Sequence, residues 1–231
     1  SDELLRLVEV ASRAGLSLTL KIGGCEAIRD LMEAKQFGSS HVVAPMVESA
    51  YALQKFVAAI DVVYDSDERK NTDFLFNIET VTGYEALDDL MSVVSSTDSI
   101  SGAVFGRVDF AGSLNFNKSE VLHEEVTSAA LQVAKKIAGL NLDFVVGGGV
   151  SSDSLATLRQ VKSVLLARFE TRKVVFSADA LDIPEIEAGL LLAVQFELLW
   201  LQNKQNYYTR AAGEDQARIS MLESRWGQIA G

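Results

Sequence analysis

Two acidic residues follow apolar runs at positions where they could share a divalent cation. Glu79 comes directly after residues 74–78, and Asp109 comes after residues 102–108. Carboxylates at neighbouring strand ends repel unless a positive charge neutralises them, and Mg²⁺ takes one or two carboxylates together with water and substrate oxygens. We therefore predict a Mg²⁺ site at Glu79 and Asp109. The alternative is that each acid only caps the helix that follows it.

Basic residues and glycine-rich turns are predicted at the same edge of the sheet as these acids. Lys21 and Arg107 end other apolar runs, where they are suited to holding an anionic substrate. Gly23 and Gly24 precede one predicted helix and residues 147–149 precede another, which leaves backbone N–H groups available for an anion. Three alternatives stay open: a Schiff-base role for Lys21, a purely structural ion pair for Arg107, and glycine loops that serve only to turn the chain tightly.

The remaining candidates for proton transfer are few. Glu48 ends the second apolar run, and we predict that Glu48 and Lys21 are the catalytic side chains. His41 begins its strand and therefore lies at the opposite end of the sheet, whereas His123 lies on an acidic helix. The sequence therefore predicts no histidine base at the site.

Helices and strands alternate along the whole chain and must position these residues. The strands are predicted at residues 18–22, 41–47, 74–78, 102–108, 144–146 and 172–176. The helices are predicted at residues 3–14, 25–37, 50–60, 84–94, 120–138 and 152–161. Short, almost purely apolar strands are typical of a parallel sheet that is covered on both faces.

The polar residues decide between two parallel architectures. A doubly wound sheet concentrates its chemistry at one switch point, whereas here nearly every strand end carries polar residues, as in a barrel. We therefore predict an α/β fold, a (β/α)8 TIM barrel over residues 1–183. Because the chain begins on a helix, we expect the first two strands of the barrel to be absent from it.

A C-terminal helical segment is predicted over residues 184–231, where Pro184 opens a long helix. Its apolar runs at residues 190–194 and 198–201 are more than a solvated helix exposes. We expect this segment to pack on the barrel or on a neighbouring subunit, which predicts a homo-oligomer.

Amino-acid composition argues against some classes of binding partner and some cellular locations. A net charge of -11 argues against nucleic acid, because phosphate binding needs clustered basic residues. No apolar stretch is long enough to cross a membrane, and no export signal is visible at the start. Cys25 is the single cysteine and cannot form a disulfide within the chain, which favours a cytoplasmic location.

Four short motifs carry a family resemblance. They are Lys-Ile-Gly-Gly at residues 21–24, Ala-Pro-Met-Val-Glu at 44–48, Asn-Ile-Glu-Thr at 77–80, and Gly-Arg-Val-Asp at 106–109 followed by Ala-Gly-Ser-Leu at 111–114. In this order they resemble the HpcH/HpaI aldolase and citrate lyase β-subunit family over roughly residues 17–180. The resemblance implies that Glu79 and Asp109 bind Mg²⁺ or Mn²⁺.

The same resemblance implies a reaction. Family members make or break a carbon–carbon bond through an enolate of a pyruvate-like or acyl-CoA substrate, and Ser113 would fix a loop at the substrate. The family usually places an arginine where this chain has Lys21, so the substrate itself stays open. Two other functions remain open: a non-catalytic barrel that binds an anionic metabolite or a partner protein, and phosphoenolpyruvate or phosphoryl transfer.

Overall fold

A single curved sheet organises the computed structural model, which describes residues 2–117 and 120–230. Its strands are β1 (Thr19–Lys21), β2 (His41–Ala44), β3 (Asp73–Ile78), β4 (Gly102–Gly106), β5 (Asp143–Gly147), β6 (Arg168–Glu170) and β7 (Val175–Ser177). Neighbours in the sheet follow chain order. Strands β1 to β6 are parallel, and β7 runs antiparallel to β6.

Nine helices accompany the sheet in the described residues, and all but the first and the last lie in crossovers between parallel strands. They are α1 (Asp2–Arg13), α2 (Ile28–Gln36), α3 (Ala50–Val63), α4 (Val81–Glu85), α5 (Leu87–Val94), α6 (Arg107–Ser113), α7 (Glu124–Ile137), α8 (Leu155–Lys162) and α9 (Ile186–Ala230). Short 3₁₀ turns occur at Glu68–Asn71, Ser152–Ser154 and Ala178–Asp182. The α/β class predicted from the sequence is confirmed.

The sheet differs from the prediction in its last strands. The sixth parallel strand is β6, which was missed, and the run predicted at residues 172–176 instead overlaps the antiparallel β7. Within the described residues the sheet has β1 and β7 at its two edges and does not close into an eight-stranded barrel. It is a curled, mostly parallel half-barrel.

Two apolar layers cover the faces of the sheet. Fully buried phenylalanines on the strands pack in one large cluster with the inner sides of α3, α5, α7 and α8. The concave face carries a second, small cluster of Val43, Leu75, Val104 and Val145. Side chains from all seven strands line a cavity of ≈ 10 Å³ on that face, which shows how strongly the sheet curls.

The chain divides into two compact units within α9. The first unit ends at Leu190 and contains the sheet with the helices that cover it. The second begins at Leu191 and is the remainder of the helix, with large apolar side chains exposed along it. Among the described residues, no helix combines the length and the apolar character needed to span a bilayer.

A close approach of β4 to β5 gives a stability prediction. Gly102 pairs with Asp143, and a Cβ at Gly102 would lie 2.5 Å from the backbone oxygen of Asp143. Because backbone cannot move aside cheaply, we expect Gly102→Ala to lower the free energy of unfolding by about 1–3 kcal/mol. Urea unfolding measures this, with Gly139→Ala as control because nothing lies within 4 Å of its added Cβ. Equal stability of the two variants would contradict the prediction.

Candidate active site

Glu79 is the most constrained side chain at the carboxyl edge of the sheet. It follows β3 directly, and its side chain is 1% exposed. Oε1 accepts from the backbone N–H of Met46 at 2.9 Å, and Oε2 accepts from Asn77 Nδ2 at 2.6 Å. Lys21 Nζ lies 3.3 Å from Oε1 and 3.1 Å from Oε2. The carboxylate is thus held in one orientation, and its buried charge is balanced by Lys21.

The turn after β2 explains the contact with Met46. Strand β2 ends at Ala44, and Met46 adopts a φ of 49°, a left-handed conformation that is uncommon outside glycine. This turn directs the Met46 N–H at Glu79, while the N–H of Val47 donates to the backbone oxygen of Asn77 at 3.3 Å. Such strain persists where the surroundings enforce it, and it concentrates at functional sites.

Glycine on the next strand makes room for Glu79. Gly106 is the last residue of β4, and a Cβ at that position would lie 2.8 Å from both Cβ and Oε2 of Glu79. Any larger residue would therefore push the carboxylate out of place. The Gly-Arg-Val-Asp motif begins with this glycine, and its position beside Glu79 gives a physical reason for the glycine of the motif.

Asp109 was predicted to follow the end of a strand, and this prediction is wrong. Strand β4 stops at Gly106, and α6 begins at Arg107, so Asp109 lies in the first turn of a helix. A carboxylate there interacts favourably with the helix dipole. Asp109 is exposed, and within the described part of the chain it makes no side-chain hydrogen bond or ion pair. Its oxygens are available to a ligand.

The pair fits a hard divalent cation. Among residues 2–117 and 120–230, no group of three or more His, Cys, Asp or Glu side chains gathers at one point, so a cation held by Glu79 and Asp109 would take no more than these two carboxylates from such side chains. Two carboxylates with remaining positions left to water and substrate are typical of Mg²⁺. The side-chain oxygen of Asn77, next to Glu79, is also buried without a hydrogen-bond partner in the described structure. This donor set suits Mg²⁺ or Mn²⁺.

Arg107 is buried instead of facing the edge of the sheet. It is 1% exposed, and it donates from Nε to the Gly147 oxygen and from Nη2 to Ser154 Oγ, each at 3.3 Å. Burial lowers the pKa of Arg107 to about 10, so the guanidinium stays charged at neutral pH. Its contacts hold the loop at residues 147–149, and any role in substrate binding remains a prediction.

Glu48 and Ser113 brace the neighbouring loops. Glu48 is exposed and accepts a hydrogen bond from Thr80 Oγ1 at 2.7 Å. Ser113 Oγ accepts from the N–H of Val81 at 2.9 Å and donates to the Phe110 oxygen at 2.7 Å. These bonds join the segments that follow β2, β3 and β4, so both residues lie around the site without contacting Glu79 directly.

The first glycine turn is partly used within the protein. The N–H of Gly23 donates to Asp30 Oδ2 at 2.7 Å, and the Gly24 oxygen accepts from Ala27. Helix α2 begins only at Ile28, four residues beyond Gly24. The predicted roles of Gly23 and Gly24 in substrate binding therefore depend on groups other than the Gly23 N–H.

Glu170 is a site residue that the sequence prediction missed. It ends β6 on the concave face, and it lies so close to Gly147 that a Cβ there would be 2.5 Å from Glu170 Oε1. Burial raises the pKa of its carboxyl, the Glu79 charge adds to the rise, and Lys21 and Arg168 oppose it. The alternation of Arg168 and Glu170 with apolar neighbours was the signal for a strand here.

Comparison with known proteins identifies the family of this chain. A profile of the HpcH/HpaI aldolase/citrate lyase family matches residues 19–175, more than half of the chain and all of the site. The chain belongs to the HpcH/HpaI aldolase/citrate lyase family. The resemblance of its four motifs is thereby confirmed, and an aldolase or lyase role is supported in general terms. Curated protein sequences gave no match.

Solved structures share the fold at low sequence identity. An HpcH/HpaI aldolase from Desulfitobacterium hafniense DCB-2 is 15% identical with a TM-score of 0.55, over 69% of this chain and 68% of that one. RipC from Yersinia pestis is 19% identical with a TM-score of 0.54, over 74% and 78% of the two chains. The citrate synthase SbnG is 14% identical with a TM-score of 0.57, over 87% and 78%.

Proposed function

We propose that this family member is a Mg²⁺- or Mn²⁺-dependent carbon–carbon lyase or aldolase. Its substrate would be a small keto acid of the pyruvate or oxaloacetate type, or an acyl-CoA, which reacts through an enolate. The observation that carries the proposal is the fixed, buried Glu79 carboxylate beside the half-exposed Lys21, with the free Asp109 one helical turn beyond Gly106.

Each side chain has a distinct task in this proposal. Glu79 and Asp109 would hold the cation, and Met46 N–H and Asn77 keep Glu79 oriented. A divalent cation bound there supplies Lewis acidity for the negative charge that develops on the substrate's carbonyl oxygen. Lys21, whose side chain is 49% exposed, offers its ammonium group to the substrate's carboxylate or thioester oxygen.

Proton exchange into pyruvate tests this proposal before the second substrate is known. Enolate formation in D₂O replaces the methyl protons of pyruvate with deuterium, which NMR follows directly. We expect exchange with the full chain and Mg²⁺, and its loss when EDTA removes the cation. Release of pyruvate or free CoA from candidate substrates would then identify the electrophile. No exchange into pyruvate or acyl-CoA at any cation concentration would contradict the proposal.

We also infer that the curled sheet is the larger part of a (β/α)8 barrel. The strands follow chain order, six of them are parallel, and the polar residues of the site lie at their carboxyl ends, as in barrel enzymes. An experimental structure with β1 and β7 as solvated open edges would contradict this inference.

A homo-oligomer is proposed from the second unit of the chain. Its large apolar side chains are exposed at Leu191, Leu192, Val194, Leu198 and Leu199, more than a soluble helix normally leaves to water. A second copy of the chain would cover them. Light scattering that gives the mass of a monomer at micromolar concentration would contradict this.

A further inference from the structure

Two carboxylates lie against a pair of neighbouring glycines. Gly106 and Gly147 end β4 and β5 and lie opposite each other in the parallel register. A Cβ at Gly106 would lie 2.8 Å from Glu79 Oε2, and a Cβ at Gly147 would lie 2.5 Å from Glu170 Oε1. The Glu79 side chain therefore lies over the end of β4 and the Glu170 side chain over the end of β5. Both strands end in glycine, which leaves the space for these side chains.

The two carboxylates differ in how they are held. Glu79 has three donors, Lys21, Met46 N–H and Asn77, which together contact both of its oxygens. Within the described part of the chain, no donor forms a hydrogen bond to the carboxylate of Glu170. Donors fix the orientation of a carboxylate and occupy part of its lone pairs, whereas a carboxylate without donors has all of its lone pairs free to accept a proton.

The surroundings of Glu170 favour proton transfer. The residue is half-buried and lines the concave side of the sheet above the apolar cluster of Val43, Leu75, Val104 and Val145. Three charged groups affect the pKa of Glu170. They are Lys21 on β1, Glu79 in the loop after β3, and Arg168 on the same strand as Glu170. Burial raises the pKa of Glu170, which brings a carboxylate closer to the range in which it works as a general base.

We propose that Glu170 removes and returns the proton at the carbon next to the substrate's carbonyl group. The inference rests on the proposed function and adds the acid–base group to it. The C–H bond breaks, its electron pair forms the C=C bond of the enolate, and the proton binds a Glu170 oxygen. In the reverse step, Glu170 gives that proton back to carbon and becomes a carboxylate again.

The test compares proton exchange with binding in the full chain. With pyruvate and Mg²⁺ in D₂O, we expect Glu170→Gln to exchange methyl protons at least about 10²-fold more slowly than the wild type. Its affinity for oxalate, an analogue of the pyruvate enolate, should stay within about threefold of the wild type. Glu33→Gln is the matched control, a partly exposed glutamate on α2 that pairs with Arg29.

A second variant keeps the test valid if glutamine perturbs the fold. Gly147→Ala adds a methyl group whose three nearest neighbours are all side-chain atoms of Glu170, so it displaces the carboxylate of Glu170. It should slow exchange as well. Wild-type exchange rates in Glu170→Gln would overturn the assignment, as would loss of oxalate binding together with exchange. A wild-type protein without exchange would overturn the proposed function, and the assignment with it.

Discussion

Replacing Glu79 with glutamine should lower turnover by about 10³-fold or more, because the substitution removes the fixed negative charge on which the site is built. The amide keeps the shape of the side chain but brings an NH₂ group toward donors such as Lys21 and Asn77. Steady-state kinetics and the pyruvate exchange rate both measure the effect.

The fold should survive this change. One buried donor left facing another costs about 1–3 kcal/mol, less than the stability of a typical domain. Circular dichroism and urea unfolding check that the variant is folded, and Glu33→Gln serves as the control on α2. Turnover within a few-fold of the wild type in a folded Glu79→Gln protein would contradict the role of Glu79.

Replacing Lys21 with methionine should weaken substrate binding more than it affects metal binding. Lys21 carries the exposed positive charge at this edge, and a charge-assisted hydrogen bond to an anion contributes about 1.5–3 kcal/mol. We expect KM, or the dissociation constant of oxalate, to rise about 10- to 100-fold. The affinity for Mn²⁺ should not fall, because the methionine also removes a cation that competes for Glu79.

Lys21→Arg separates charge from shape. The arginine keeps the positive charge and adds the planar fork that binds a carboxylate in a bidentate manner, so it should retain most of the binding that Lys21→Met loses. Equal weakening in both variants would show that the lysine acts by another route, such as a Schiff base. Borohydride trapping with pyruvate would detect that covalent route directly.

The positions of Glu79 and Lys21 at the carboxyl edge of the sheet could be predicted from the sequence, because each residue ends or directly follows its strand. Glu79 directly follows an apolar strand, and the parallel alternation requires that strand ends share one edge. Lys21 was placed by the same argument, and its contact with Glu79 agrees with it. The motif resemblance added the family, which the profile match confirmed.

Other features depended on contacts that spacing does not reveal. The apolar run at residues 102–108 looked continuous, but the chain turns into α6 at Arg107, which is buried under a loop 40 residues away in sequence. Strand β6 is three residues long and carries two charges, so it lacks the apolar character of the other strands. Glu170 was missed together with this strand. Its position depends on the space that a glycine leaves at residue 147 on the neighbouring strand, which spacing along the chain does not show.

The most direct test of the central claim is a calorimetric titration of Mn²⁺ into the wild type, Glu79→Ala and Asp109→Ala, with Glu33→Ala as control. The proposed site predicts that the wild type and the control bind Mn²⁺ alike. Each of the other two variants should remain folded and lose at least about 100-fold in affinity. Unchanged affinity in both Glu79→Ala and Asp109→Ala would show that these carboxylates do not form a metal site.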